Sequence, residues 1–262
     1  KFFGMEASEY KKVLDECGLV APSGHYLYGN FGNKQNPGTV LFGWEKAVAD
    51  AKVIGQTYMA IAFLMPEERT SIADYKKIAA DLNKAGAVCK KAGIQLCYHN
   101  HDFEFVAQAD GSIPQASILE GGPNLEVELD VAWVIRGGSD PLAWINRYAG
   151  RITAAHVKDI APKGQNADED GWSDVGHGTV DWKTIHAALK AAGASAASWS
   201  ALLHRWTEGC DELPLQALSR TMEGLAGADA DLEDGAVDRG ADGRALELGN
   251  YHALGGLAGT AQ

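Results

Sequence analysis

Apolar runs of strand length alternate with amphipathic stretches of helical length along most of this 262-residue chain. Parallel βα units produce this alternation, because each buried strand is followed by a helix that covers the sheet. The pattern predicts an α/β protein with about five such units, enough to enclose one large core. The predicted strands cover residues 19–27, 57–64, 94–99, 125–130 and 152–156.

Helical periodicity and helix-start signals separate these runs. Pro66 opens the longest helical stretch with acidic residues in its first turn, where they suit the positive end of the helix dipole. That helix is predicted to run as far as Gly93. The other predicted helices cover residues 8–17, 43–52, 141–148 and 184–192, with a short one inside residues 110–123.

Chemically active side chains lie where the predicted strands end. His99, Asp130 and His156 close three successive runs, and His25 lies near the end of an earlier one. In a barrel of parallel strands the carboxyl ends meet around one mouth, so these side chains are expected to be neighbours. The octapeptide from Tyr98 to Phe105, YHNHDFEF, is especially dense in imidazoles and carboxylates.

Each of these residues also has a purely structural interpretation when it is taken alone. A single histidine at a strand end is usually hydrogen-bonded to its neighbours, and a lone Asp130 is a plausible helix cap. Lys158 and Asp159 could form a surface ion pair, Trp133 could be core packing, and His177 a solvated loop residue. The occurrence of His or Asp at consecutive strand ends favours a shared metal site.

Composition excludes several classes of function. A net charge of -12 argues against binding a nucleic-acid backbone, which requires clustered Lys and Arg. The four cysteines form no CxxC pair, which indicates free thiols in a reducing compartment. With no long apolar run, the sequence predicts a cytoplasmic protein that binds a small molecule and no membrane; because the chain starts at Lys1, a leader is left open.

Three motifs resemble the xylose isomerase-like TIM barrels, often called sugar phosphate isomerases or epimerases. The octapeptide YHNHDFEF looks like the fifth-strand motif of that family, and residues 129–160 look like its sixth and seventh βα units. The sequence DVGHGTVDW, residues 174–182, resembles the loop that follows, while residues 18–26 and 67–93 resemble earlier elements. The resemblance covers roughly residues 1–192 and implies a (β/α)8 TIM barrel.

The resemblance also implies one divalent ion, Mn, Co, Mg or Zn, held by Glu, Asp, His and Glu from four strands. Carried over, the metal ligands are Glu104, Asp130 and His156, with His99 or His101 as alternatives to Glu104. Such an ion stabilises the enediolate formed when a base removes the proton alpha to a carbonyl. Glu104 or a nearby histidine would be that base, and His99, His101 or Lys158 could move protons or hold hydroxyls. Substrate contacts are expected from three further residues, His25, Trp133 and His177.

Both ends of the chain depart from the family pattern. Residues 1–4 look like the tail of the second strand, so the first βα unit and most of the second strand are expected to be missing. After Ala192 the family has an apolar strand that ends on the fourth ligand, whereas this sequence shows no strand run and no carboxylate before Glu208. The abrupt change in composition indicates a reading-frame shift or a tail of low hydrophobicity. The predicted domains are a barrel of residues 1–193 and a poorly ordered tail of residues 194–262.

Three functions follow from this pattern. The first is a metal-dependent isomerase or epimerase of sugars or sugar phosphates. The second is a keto-sugar or keto-glycoside lyase or dehydratase that uses the same site, because an enediolate can expel a group from the beta carbon. The third is an inactive sugar-binding remnant, because the fourth ligand is not visible. Family members often dimerise, so a homodimer is the partner that the resemblance implies.

Overall fold

The computed structural model describes residues 4–29, 37–194 and 199–201. These residues fall into two compact units. One unit holds the described residues up to Cys97 together with Glu120–Leu125. The other holds Tyr98–Leu119 and the described residues from Glu126 onward, including all the strand ends discussed below except that of His25.

The first unit alternates helices and parallel strands, as the sequence predicted. Strand β1 pairs in parallel with β2, with His25 opposite Ala60. The long helix α3 packs against α2, where the Trp44 indole donates a hydrogen bond of 3.1 Å to the carbonyl of Ala85. The elements in chain order are α1 (Ala7–Glu16), β1 (His25–Leu27), α2 (Trp44–Ile54), β2 (Tyr58–Phe63) and α3 (Ile72–Ala92).

Two elements of this unit are shorter than predicted. The strand predicted over residues 19–27 is regular only at β1, because the proline and glycine of the Pro22–Gly24 stretch interrupt it. His25 therefore begins its strand instead of lying towards the end. The helix predicted from Pro66 starts at Ile72, because Ser71 caps it by accepting a hydrogen bond from the Asp74 amide, and Pro66–Glu68 forms a separate 3-10 turn.

The second unit contains the remaining strands. Strand β3 (Gln95–His99) enters this unit with its last two residues, and β4 (Glu126–Asp130) pairs in parallel with β5 (Ile152–Val157). A two-residue antiparallel pair joins β6 (Asp159–Ile160) to β7 (Trp172–Ser173). The helices are α4 (Pro114–Leu119), α5 (Val131–Arg136), α6 (Pro141–Arg147) and α7 (Trp182–Ala191).

A final strand, β8 (Trp199–Ala201), corrects the expectation that no strand follows Ala192. It pairs in parallel with β5, with Ser200 opposite His156. The local sequence is rich in Ala and Ser and has little strand propensity, but the backbone of β5 offers an edge whose hydrogen-bonding groups need partners. The other residues of the predicted tail that follow Ala194, including Glu208 and Cys210, lie outside the described residues.

The predictions about membrane helices and cysteines bear on the described helices and on three of the four cysteines. Within the described parts of the chain, no helix combines the length and apolar content needed to cross a membrane. Cys17 is exposed, Cys89 and Cys97 are buried, and these three cysteines form no disulfide within the described residues. Burial raises the pKa of Cys89 to about 12, so this thiol is inert at neutral pH.

Candidate metal centre and active site

The ends of β3, β4 and β5 bring three metal-ligand side chains together. The parallel register places Asp130 directly opposite His156, and His99 is the last residue of β3. One ligand atom from each of these residues lies within 4.8 Å of those of the other two. All three side chains are almost fully buried, as expected for groups that converge inside a strand-end mouth.

Asp130 uses its two carboxylate oxygens for different purposes. Oδ1 caps α5 by accepting a hydrogen bond of 2.9 Å from the Trp133 amide. Oδ2 lies 2.9 Å from His156 Nδ1 and 4.0 Å from His99 Nε2, yet it accepts no hydrogen bond of normal geometry from the described residues. The helix-cap interpretation of Asp130 is therefore confirmed at Oδ1, and Oδ2 faces the imidazoles of His156 and His99.

The charge state of Asp130 also suits metal binding. Burial opposes ionisation of its carboxyl group, but the positive charge of His156, with smaller contributions from His99 and Lys158, lowers the pKa of Asp130 below its usual value. A fully buried anionic oxygen is costly unless positive charge compensates it, and the neighbouring imidazoles or a bound cation can supply that charge here. This oxygen is the strongest single sign that the cluster accommodates a metal ion.

Glu128 orients His99 and was missed in the sequence. Its Oε1 lies 3.0 Å from His99 Nδ1, and both side chains are buried. A carboxylate that binds one imidazole nitrogen fixes the orientation of the ring, which is the common arrangement behind histidine ligands of metals. The signal was present, because Glu128 precedes Asp130 by two positions and side chains of a strand alternate between its faces.

Asn100, the central residue of the HNH triplet, joins two strand ends. Its side-chain amide donates to the carbonyl of Asp130, and its side-chain oxygen accepts from the Asp130 amide, both at 3.0 Å. Asn100 is fully buried. These reciprocal hydrogen bonds place the backbone of Asp130 next to the end of β3.

Glu104 has a different environment from the three clustered residues. It lies in a 3-10 turn, Phe103–Phe105, and is fully buried. One carboxylate oxygen accepts from the Tyr98 hydroxyl at 2.6 Å and the other accepts from the His101 amide at 2.8 Å. In this arrangement Glu104 shapes the turn that carries His101, and His99 takes the place beside Asp130 and His156.

Two tryptophans and two cations form a wall next to the cluster. Trp133 and Trp172 meet edge to face at 4.8 Å, and Lys158 Nζ lies 3.6 Å from the Trp172 centroid. Arg136 stacks on Trp172 as well, and donates to the carbonyl of Asp170 at 2.6 Å. Burial lowers the pKa of Lys158 to about 8, although the nearby Asp130 carboxylate acts in the opposite direction. Lys158 is buried here and does not form the surface ion pair considered from the sequence.

His101 bridges the imidazole cluster and this wall. Its ring lies 5.2 Å from that of His99 and 5.1 Å from that of Trp133. Burial, followed by the positive charge of His99, lowers the pKa of His101 well below the ordinary histidine value. The ring is therefore neutral at physiological pH.

The other predicted substrate contacts, His25 and His177, lie on elements other than the strand ends that carry His99, Asp130 and His156. His177 is exposed, in the loop that precedes α7, and its amide donates to the carbonyl of Asp174 at 3.0 Å. His25 belongs to the first unit, where it begins β1. Their roles as substrate contacts stay predictions.

The donor set fits a divalent ion. Two imidazoles and one carboxylate suit borderline metals such as zinc, manganese or cobalt, and the buried Asp130 oxygen is available for coordination. Glu128 behind His99 supplies the supporting hydrogen bond that histidine ligands require. The fold and the cluster together define an α/β protein with a metal-suited centre at its strand ends.

The comparisons place this protein in a family. The sequence profile described as xylose isomerase-like TIM barrel matches residues 2–222, so the chain belongs to that family. A sugar phosphate isomerase/epimerase from Parabacteroides distasonis has a similar structure, with a TM-score of 0.63 and 23% identity over 86% of this chain and 77% of that one. The IolI protein, solved with a bound zinc atom, gives a TM-score of 0.65 at 17% identity over 87% and 84% of the two chains.

Curated relatives match a smaller part of the chain. An inosose dehydratase from Lacticaseibacillus casei is 28% identical over 134 residues, which are 46% of this chain and 44% of that protein. The match thus spans less than half the length of this relative. The family, the TIM-barrel fold and membership of an enzymatic superfamily follow from the comparisons.

Proposed function

We propose that this protein is a divalent-metal-dependent isomerase or epimerase of sugars or sugar phosphates. The observation that carries the proposal is the cluster of His99, Asp130 and His156, with a buried carboxylate oxygen left for a cation. These three side chains are the proposed ligands. When bound, the ion would act as a Lewis acid that favours removal of the proton alpha to a substrate carbonyl.

The neighbouring residues have the chemistry to handle a polyhydroxylated substrate. The neutral His101 imidazole can accept a proton, and the Lys158 ammonium can hold a carbonyl or hydroxyl oxygen. Trp133 offers an aromatic surface to a sugar ring. Glu104 supports this group by holding the His101 backbone through the 2.8 Å hydrogen bond.

The substitution Asp130→Asn tests the proposed metal site. The asparagine oxygen can still cap α5, but its amide group would replace the oxygen left for the ion. We expect the affinity for Mn²⁺ or Zn²⁺, measured by isothermal titration calorimetry, to fall by about 100-fold or more, because a ligand is lost.

Asp140→Asn is the matched control. Asp140 caps the neighbouring helix α6 through a 2.9 Å hydrogen bond from the Leu142 amide, so this variant makes the same chemical change at another helix cap. We expect it to bind one ion with unchanged affinity. Binding by Asp130→Asn as tight as that of the wild type would overturn the proposed site.

A dehydratase of ketocyclitols is the second candidate. The similarity to an inosose dehydratase favours it, and the chemistry starts with the same proton abstraction. Mass spectrometry of the product separates the two functions. A product of equal mass supports isomerisation or epimerisation, whereas loss of one water from an inosose supports dehydration.

A further inference from the structure

The carboxylate of Asp159 collects four backbone amides. Oδ1 accepts hydrogen bonds from Ile160, at 2.8 Å, and Val180, at 3.0 Å. Oδ2 accepts from Gly176 at 3.0 Å and from Gly178 at 3.2 Å. Asp159 is fully buried, and three of the four donors belong to the loop that carries His177. Because each oxygen already accepts two hydrogen bonds, this side chain is an internal anchor.

The glycines of the VGHG motif make this anchoring geometrically feasible. Gly176 has a φ of +86°, a left-handed conformation that other residues rarely adopt. A Cβ atom at Gly178 would lie 2.1 Å from Asp159 Oδ1 and 2.6 Å from the carbonyl oxygen of Ile160. Gly178 is therefore needed for the close approach of the loop to the carboxylate.

The anchor is tied to the strand that carries a proposed metal ligand. Asp159 follows His156 by three residues and Lys158 by one. Three residues of extended chain span at most about 11 Å, and the loop amides lie within 3.2 Å of the Asp159 carboxylate. The loop is thus attached directly beyond the strand end that supplies the site.

We propose that Asp159 is a positioning residue that holds the loop of residues 174–180, with His177, beside the active site so that the loop retains substrate. The retention role rests on the proposed function; the anchoring does not. Asp159 itself touches no substrate, because the loop amides and that of Ile160 occupy its oxygens. The same contacts explain why the motif places glycine on both sides of His177.

Asp159→Asn tests the anchor by hydrogen exchange. Asparagine keeps one acceptor oxygen and turns an amide group towards two N–H donors, so two charge-assisted hydrogen bonds are lost. We expect the amides of residues 174–180 to exchange about tenfold faster or more, measured by mass spectrometry, while cooperative unfolding and Mn²⁺ affinity are retained. Asp168→Asn, the same charge change at an exposed residue of the preceding segment, is expected to leave exchange unchanged.

Gly178→Ala provides a second, independent perturbation. It leaves the Asp159 carboxylate intact but forces the loop away through its Cβ atom, so exchange of the same amides is expected to rise. Both substitutions break the same contact between the loop and Asp159. The rise in amide exchange of the double variant is therefore expected to be much smaller than the sum of the rises in the two single variants. Additive effects would contradict a shared anchor.

Binding of an inosose in the presence of Mn²⁺ tests the retention role. We expect Asp159→Asn to weaken inosose binding about tenfold. If the protein turns inosose over, we expect the same substitution to raise KM more than it lowers kcat. Unchanged loop exchange would overturn the anchor, and faster exchange with unchanged inosose affinity would overturn its role in retention. If the wild type binds no Mn²⁺, the proposed function fails and the retention role fails with it, while the exchange data still decide the anchor.

Discussion

Individual side chains at the strand ends serve two neighbours at once. Asp130 caps α5 with one oxygen and leaves the other beside His156. His99 contacts Glu128 through Nδ1, while its Nε2 faces Asp130. Each polar atom therefore has a distinct use, and substitutions that preserve shape but change one atom should separate structural from metal-binding roles.

Glu104 provides the sharpest test of this kind. In Glu104→Gln, we expect the affinity for Mn²⁺ to stay within about threefold of the wild type, because Glu104 supports a turn and the three proposed ligands remain. The loss of a charged acceptor for Tyr98 and His101 should lower the free energy of unfolding by about 1–2 kcal/mol, measured in urea.

The opposite result would support the ligand assignment that the family resemblance implied. A fall in Mn²⁺ affinity as large as that of Asp130→Asn would make Glu104 a metal ligand. Asp140→Asn again serves as a reference for an exposed carboxylate that is changed to an amide.

Neighbouring strands are held in position at their ends as well as along their length. Asn100 links the end of β3 to the backbone of Asp130 through two buried hydrogen bonds. The geometry of the proposed ligands therefore depends on a residue that does not belong to the ligand set. Such contacts explain why His99 and Asp130, far apart in sequence, reach a common centre.

Asn100→Ala should disturb both stability and metal binding. It leaves the buried amide and carbonyl of Asp130 without their partners, so we expect the free energy of unfolding to fall by about 2–3 kcal/mol. We also expect a loss of about tenfold in Mn²⁺ affinity, because the Asp130 carboxylate is less well placed. Urea unfolding of the chelator-treated protein and calorimetry of Mn²⁺ binding measure the two effects separately.

Asn146→Ala is the control for this experiment, since Asn146 is exposed on α6. It should change neither quantity measurably. If Asn100→Ala retained wild-type Mn²⁺ affinity despite lower stability, the two hydrogen bonds from Asn100 would support the fold without positioning the Asp130 carboxylate.

Metal binding is expected to stabilise the whole molecule. An ion that binds only the folded state adds about 2.7 kcal/mol at a free concentration 100 times its Kd. For a chain of this size, we expect Tm to rise by roughly 5–10 °C on addition of Mn²⁺ or Zn²⁺ to chelator-treated protein. Differential scanning calorimetry checks this, and Asp130→Asn should show no such rise. An equal rise in that variant would locate the stabilising ion elsewhere.

The alternation of elements could be read from the sequence because it depends on local periodicity. The predicted strand runs at β2 to β5 are confirmed, as are the main helices. Burial of one face of a helix, or of a whole strand, leaves a regular spacing of apolar residues that can be recognised in the sequence. Short elements were missed. Trp199–Ala201 becomes a strand only because β5 presents an unpaired edge, and no local property of Ala and Ser indicates this.

The sequence by itself determined which residue types stand at the strand ends and, through the family motifs, which fold they belong to. It placed Asp130 and His156 at the ends of consecutive strands, and parallel pairing then makes them neighbours. Only the tertiary structure decided that His99, and not Glu104, lies beside Asp130 and His156. It also decided that Glu104 turns to Tyr98 and His101, and that Asp159 gathers the His177 loop. These contacts depend on side-chain direction and on strand register, which bring distant residues within hydrogen-bonding distance and leave no trace in local sequence periodicity.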